Sequence, residues 1–226
     1  MPRPSLLAAA AALLSGAVLT AQGPVPLSDE PHHKRLLYTA HLRLFDVTVP
    51  AGATTLNHSH DRDILTVALG PTTFRTSQAT GGWADPRSYM AGTVNINNYT
   101  GAPTAHRMEN VGKTPYRVLA LENLRERGWS MPRVVEAPGT TLTQQSRSFA
   151  VYDVRLNSST TRTNHVHQQP VVVILIAGSV EVQGGGGESE FRMETPGRWF
   201  PSQWDQPHTL SLAAGTEARV VEVEAR

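Results

Sequence analysis

Apolar positions in this chain gather in short runs: HLRLFDVTV, ILTVALG, YRVLALENL, FAVYDVRL and ARVVEVEA, each rich in Val, Leu or Tyr and bounded by Gly, Pro, Asn or Ser clusters. Short runs with such boundaries predict β-strands. Beyond the N-terminal twenty or so residues, no long stretch places apolar residues at helical spacing. Even strand spacing with Gly/Pro turns predicts a barrel or a sandwich. The run VVVILI (171–176) is apolar at every position. A strand of this kind is covered on both faces, as at a sheet contact between domains or between the subunits of a homodimer.

The strand pattern occurs twice. FDVTVPAGATTLNHSH (45–60) aligns with YDVRLNSSTTRTNHVH (152–167) at a constant shift of 107, with six identities in sixteen positions: Asp46/Asp153, Val47/Val154, Thr54/Thr161, Asn57/Asn164, His58/His165 and His60/His167. That period is far above those of stacked solenoids, so it indicates a duplicated domain. Each copy continues with an apolar strand near a glycine (Gly70; Gly178), a second glycine (Gly92; Gly197) and a lone histidine (His106; His208). Six of the nine histidines thus fall into two sets of three. His32, His33 and His41 lie outside the pattern and read as incidental.

The opening residues, with Arg3 ahead of LLAAAAALLSGAVLTA, read as a secretory signal peptide over 1–21, cleaved after Ala17 or Ala21. A membrane anchor is the alternative; after processing no stretch approaches spanning length. The expected location is therefore secreted or periplasmic. With no cysteine, thiol catalysis and zinc-finger readings fall away, and any metal must be held by nitrogen and oxygen. A formal net charge of +1 gives no field to attract nucleic acid.

These residues resemble the cupin superfamily, in the form of a bicupin. The family's first motif, Gly, five residues, His-x-His, three or four residues, Glu, six residues, Gly, is matched by Gly52, His58, His60, Asp63 and Gly70. Asp63 replaces the glutamate and comes one residue early, sharing a strand face with Leu65, Val67 and Leu69. The second motif is met by His106 and Asn110, with its Pro-x-Gly turn degraded to Gly101-Ala-Pro103. The second copy carries Ser159 for the first glycine, Val171 at the acid and Leu212 at the asparagine. The resemblance implies an all-β fold of two tandem jelly-roll barrels, over 35–127 and 146–226, joined by a linker at 128–145 that holds Pro132, Pro138 and Gly139.

It also implies metal ligands: His58, His60, His106 and Asp63 in the first copy, and His165, His167 and His208 in the second. Histidines at i and i+2 of a strand share a face, and three imidazoles leave coordination positions open. Asp63 would be a further ligand or a catalytic base. The divalent ion expected is Fe or Mn, with Ni, Cu or Zn also compatible with imidazole. Tyr99 and Arg107 are candidates for holding an anionic substrate, Trp199 and Trp204 for an aromatic wall beside His208, though each type more often packs or covers a rim. The GGGG run (184–187) reads as a hairpin loop. Two functions follow: a metal-dependent, dioxygenase-like oxidoreductase or a lyase acting on a small oxygenated molecule, or a non-catalytic ligand- or metal-binding protein. Either permits divided labour, with the first copy carrying the site.

Overall fold

A computed structural model describes residues 23–78, 81–125, 133–186 and 190–226. The signal-peptide reading of 1–21 lies outside the described residues. The first half contributes β1 (Val25–Pro26), a 3-10 turn (Leu27–Asp29), β2 (His33–Tyr38), β3 (Leu42–Val49), β4 (His58–His60), β5 (Ile64–Ala68), β6 (Thr72–Gln78), β7 (Arg87–Tyr89), β8 (Val94–Asn97), β9 (Thr104–Asn110) and β10 (Tyr116–Asn123). The second contributes β11 (Thr140–Gln145), β12 (Phe149–Asn157), β13 (Arg162–His165), β14 (Val171–Gly184), β15 (Glu190–Met193), β16 (Trp199–Ser202) and β17 (His208–Ala225). Among the described residues no helix is long and apolar enough to cross a membrane.

The protein is all-β, as expected, but its sheets do not close into barrels. The first half forms two five-stranded sheets, β1-β4-β9-β6-β7 and β2-β3-β10-β5-β8. The second forms one seven-stranded sheet, in which β14 and β17 are long enough to run through both layers, their pairing broken by register shifts between Leu175 and Val180. Such bulges let one strand bend and serve two faces of a core. Two boundaries also move. Strands begin at Val25, ahead of the expected start at 35, because β1 pairs in parallel with β4, Val25 opposite His58. Of the expected linker, 128–132 lies outside the described residues, while Thr140–Gln145 is strand β11 and pairs with β12.

Strand parity sorts the side chains. Phe45, Val47, Ile64, Ala68, Val118 and Ala120 fill the interior of the first half; Val154, Leu156, Val173, Leu175 and Val220 fill that of the second. The opposite faces meet: Leu42, Leu44, Leu65, Val67, Leu119 and Leu121 pack with Phe149, Val151, Val172, Ile174, Val221 and Val223 in one buried cluster. This is the two-sided cover that VVVILI called for, supplied between the halves. The same shift of 107 that aligns the sequences aligns Leu42 with Phe149, Leu44 with Val151, Leu65 with Val172 and Val67 with Ile174. Each half therefore presents the same patch to the other, as in an isologous interface.

Candidate functional site

β4 and β9 pair with His58 directly opposite His106, and His60 shares the face of His58 two residues on. One ring nitrogen from each of the three lies within 4.8 Å of the others. They border a cavity of about 260 Å³ with Thr66, Arg87, Asn95, Asn97 and Tyr99 also on its wall. Among the described residues lining that cavity there is no carboxylate.

One of the three rings is held from outside as a ligand needs to be. His58 donates through Nδ1 to the Leu56 carbonyl at 2.9 Å, which leaves Nε2 with its lone pair. The Leu56 N–H in turn donates to Glu30 at 3.2 Å, and the other Glu30 oxygen accepts from His33 Nδ1 at 2.5 Å. Glu30 thus holds the residue whose carbonyl orients His58. His33, read from sequence as incidental, lines the cavity with its ring 5.0 Å from that of His58. Neither nitrogen of His60 has a hydrogen-bond partner although the residue is buried. An orphaned, buried imidazole fits a cation, which would satisfy it. Burial, with mutual repulsion of the rings, lowers His60 to about 2 and His106 to about 3; burial, partly opposed by the Leu56 carbonyl, lowers His58 to about 4. All three are neutral at pH 7, the state a metal requires.

Asp63 is not in this group. Its Oδ1 accepts from the Thr100 N–H at 2.7 Å, and its Oδ2 from Arg147 Nε at 3.1 Å and from the Ser148 hydroxyl. The reason is parity: Asp63 lies on the face of Leu65 and Val67, which meets the second half, whereas Ile64 and Thr66 face the cavity. A displacement of one residue sends a strand side chain to the other side. Of the weaker candidates, Tyr99 lies 5.1 Å from His60, ring to ring. Arg107 stacks on Trp83 at 4.9 Å, and the arginine at the cavity is Arg87.

In the second half His165, His167 and His208 also converge, joined by an acid that the motifs did not mark. Glu222, on β17, lies 2.8 Å from His165 Nε2, 3.2 Å from His167 Nε2 and 2.9 Å from His208 Nε2. Outer partners hold two of the rings: Glu224 accepts from His167 Nδ1 at 3.0 Å, and Ser202 bonds His208 Nδ1 at 3.1 Å. Burial would lower His167, but Glu222 and Glu224 outweigh it and raise it to about 9. Glu222 sits well below the carboxylate range because three histidine contacts overcome its burial. Of the expected aromatic wall, Phe200 rather than a tryptophan stands against His208, at 5.9 Å, and Trp204 packs on His41.

No family model matches the sequence, and no curated protein matches it. Solved structures do. A variant of salicylate 1,2-dioxygenase from Pseudoaminobacter salicylatoxidans, in complex with gentisate, superposes with a TM-score of 0.63 at 12% identity, covering 89% of this chain and 76% of that one. An oxalate decarboxylase from Lactobacillus farciminis, in a formate complex, gives 0.58 at 10%, covering 82% and 77%. A cupin 2 conserved barrel domain protein from Leptotrichia buccalis gives 0.55 at 7%, covering 86% and 88%. At such identities the likeness is one of fold, and what it shows is that this chain is built on the cupin fold.

Proposed function

We propose that the protein is a metal-dependent cupin whose working centre is the trio His58, His60 and His106, and that it transforms a small oxygenated molecule by oxygenation or by lyase chemistry. The observation that carries this reading is three neutral imidazoles, two buried and one partly buried, at the wall of a cavity large enough for a small metabolite, one of them with both nitrogens unpartnered. A bound divalent ion would supply Lewis acidity toward an oxygen donor of the substrate. The protein's part is to hold and orient. Thr66, Asn95, Asn97 and Tyr99 offer hydrogen bonds across the cavity, and Arg87 offers the positive charge that would seat a substrate anion. His33, backed by Glu30, is placed to hold or move a proton at the cavity edge. The dioxygenase and decarboxylase among the structural neighbours are compatible with this chemistry. The leader-like residues 1–21 support export from the cytoplasm.

The test is metal analysis and turnover on one preparation. Wild type, supplied in turn with Fe, Mn, Ni, Cu and Zn, is expected to hold an ion at the first half and to consume oxygen or release carbon dioxide with some member of a panel of catechols, hydroxybenzoates and small diacids. His58→Ala and His106→Ala, in protein that remains folded, should lose that ion and the turnover together. A metal content equal to that of wild type in both variants would sink the reading. Bound metal without turnover on any substrate would favour the plain binding protein.

A further inference from the structure

The stretch ahead of β3 has its match in the second half as a strand but not as chemistry. β2 and β11 coincide at the shift of 107, whereas Glu30 falls on Ala137, His32 on Gly139 and His33 on Thr140. In the first half this stretch is built into the site. β1 lies against β4, the Val25 N–H donating to the Asn57 carbonyl at 2.9 Å, and Leu27 is buried in the first-half core. Farther on, the Thr48 N–H of β3 donates to the His32 carbonyl at 3.1 Å. Between these two anchors sits Glu30, 1% exposed.

Four donors converge on its carboxylate. Oε2 accepts from the His32 N–H at 2.7 Å and from His33 Nδ1 at 2.5 Å. Oε1 accepts from His32 Nδ1 at 3.0 Å and from the Leu56 N–H at 3.2 Å. A buried carboxylate filled with N–H donors acts as acceptor only, so His33 carries a proton on Nδ1. The carbonyl of Leu56, the residue that Glu30 holds, likewise accepts from His58 Nδ1 at 2.9 Å. In both rings the nitrogen left over is Nε2, and both rings line the cavity.

The second half shows what becomes of the same ligand position without this device. Leu56 corresponds to Thr163, which lies in β13 opposite Leu210. His165 is the counterpart of His58, and its buried Nδ1 has no hydrogen-bond partner among the described residues. Outer hydrogen bonds are what orient a metal-ligating histidine. We propose that Glu30 is a positioning residue of the first site, a single buried carboxylate that sets the tautomer of His33 directly and the orientation of His58 through Leu56. The order of the two rings in the metal-free chain does not rest on the proposed function; its consequence for a bound ion does.

The test is nitrogen NMR on the metal-free full chain with isotope-labelled histidine rings, His33→Gln and His58→Gln serving to assign the two signals. Both rings are expected to carry a proton on Nδ1 at neutral pH. Either ring protonated on Nε2 alone would overturn the proposal, and this readout needs no variant at Glu30. In folded Glu30→Ala, His33 should pass to the Nε2–H form that imidazole prefers when nothing holds Nδ1, while the signals of His167 stay in place. Retention of the wild-type form by His33 would overturn the proposal as well. Zn binding gives the second readout: Glu30→Ala should hold the ion that His58→Ala loses roughly tenfold more weakly, and affinity equal to that of wild type would overturn the route through Leu56. A wild-type first half that takes up no Zn would remove the proposed function and leave the ring signals to decide this inference.

Discussion

Asp63 and Glu222 are both buried carboxylates, and their neighbours set them apart. Asp63 ties the first half to Arg147 and Ser148 of the second, and those partners, prevailing over burial, hold it at about 2 against an ordinary value of 3.8. A depressed carboxylate stabilises the fold above its unfolded value and loses that contribution as pH falls toward the folded one. Asp63→Asn should therefore cost up to about 2 kcal/mol at neutral pH, and urea titrations should show the gap from wild type closing between about pH 4 and 2. In the metal-free protein the first-half trio and His167 carry opposite dependences, and His208, lowered by burial, sides with the trio. His58, His60 and His106 are lowered, so the unfolded chain takes up their protons first and stability falls as pH drops below 6.5. His167 is raised to about 9, so its contribution is whole below 6.5 and lost as pH rises through 9. Metal-free protein should be most stable near pH 6.5, and the triple variant with alanine at 58, 60 and 106 should lose most of the decline just below that point, the share of His208 remaining. At this scale the sequence was legible wherever a motif repeats. All six histidines stand where their spacing placed them, whereas Glu222 was not legible, because in RVVEVEAR an acid alternating with valine is what a half-exposed strand also shows. Only a second sheet packed on the valine face forces the glutamate face inward.

Strands and turns repeat the duplication more faithfully than the site residues do. Gly92 and Gly197, the second glycines of the two copies, both adopt positive φ and both face the other half: a side chain at Gly92 would strike the Arg219 guanidinium, and one at Gly197 would come within 2.7 Å of Leu69 Cδ1. The glycines are needed for left-handed backbone and for close approach together. Gly197→Ala is accordingly expected to destabilise by about 2 kcal/mol, from backbone strain and overpacking combined, read as a lowered urea midpoint at unchanged m-value. An effect below a few tenths of that would mean that the turn yields freely. Strand existence was legible from the runs of Val and Leu, and β3, β5, β10, β12 and β17 lie where ILTVALG and its companions put them. Barrel closure was not legible. It depends on where β14 and β17 bend, and the bulges between Leu175 and Val180 fall in a stretch with no turn signal beyond Gly178.

For the whole molecule the decisive feature is the surface on which the halves meet. It is built from the outer faces of β3, β5 and β10 against those of β12, β14 and β17, and its buried side chains include Leu44, Leu65, Leu119 and Leu121 from the first half and Phe149, Val172, Ile174 and Val223 from the second. Burying a side chain of this size is worth about 1.5–3 kcal/mol, so either half alone would expose apolar area worth more than the whole margin by which a domain of this size is stable. Asn123 adds a polar clasp, donating from its amide to the carbonyls of Ser148 and Arg226 at 2.7 Å each. Neither half should then persist while the other unfolds. The duplicated sequence suggests two domains, but the packing makes them one cooperative unit. Fluorescence of two variants can decide this, one keeping Trp83 alone as a reporter in the first half and one keeping Trp199, which packs against the shared cluster, in the second. Coincident urea midpoints are expected, in the metal-free and the Zn-loaded protein alike. If loading moved the Trp199 midpoint and left that of Trp83 behind, the halves would be energetically separate and the shared cluster would be a contact rather than a common core.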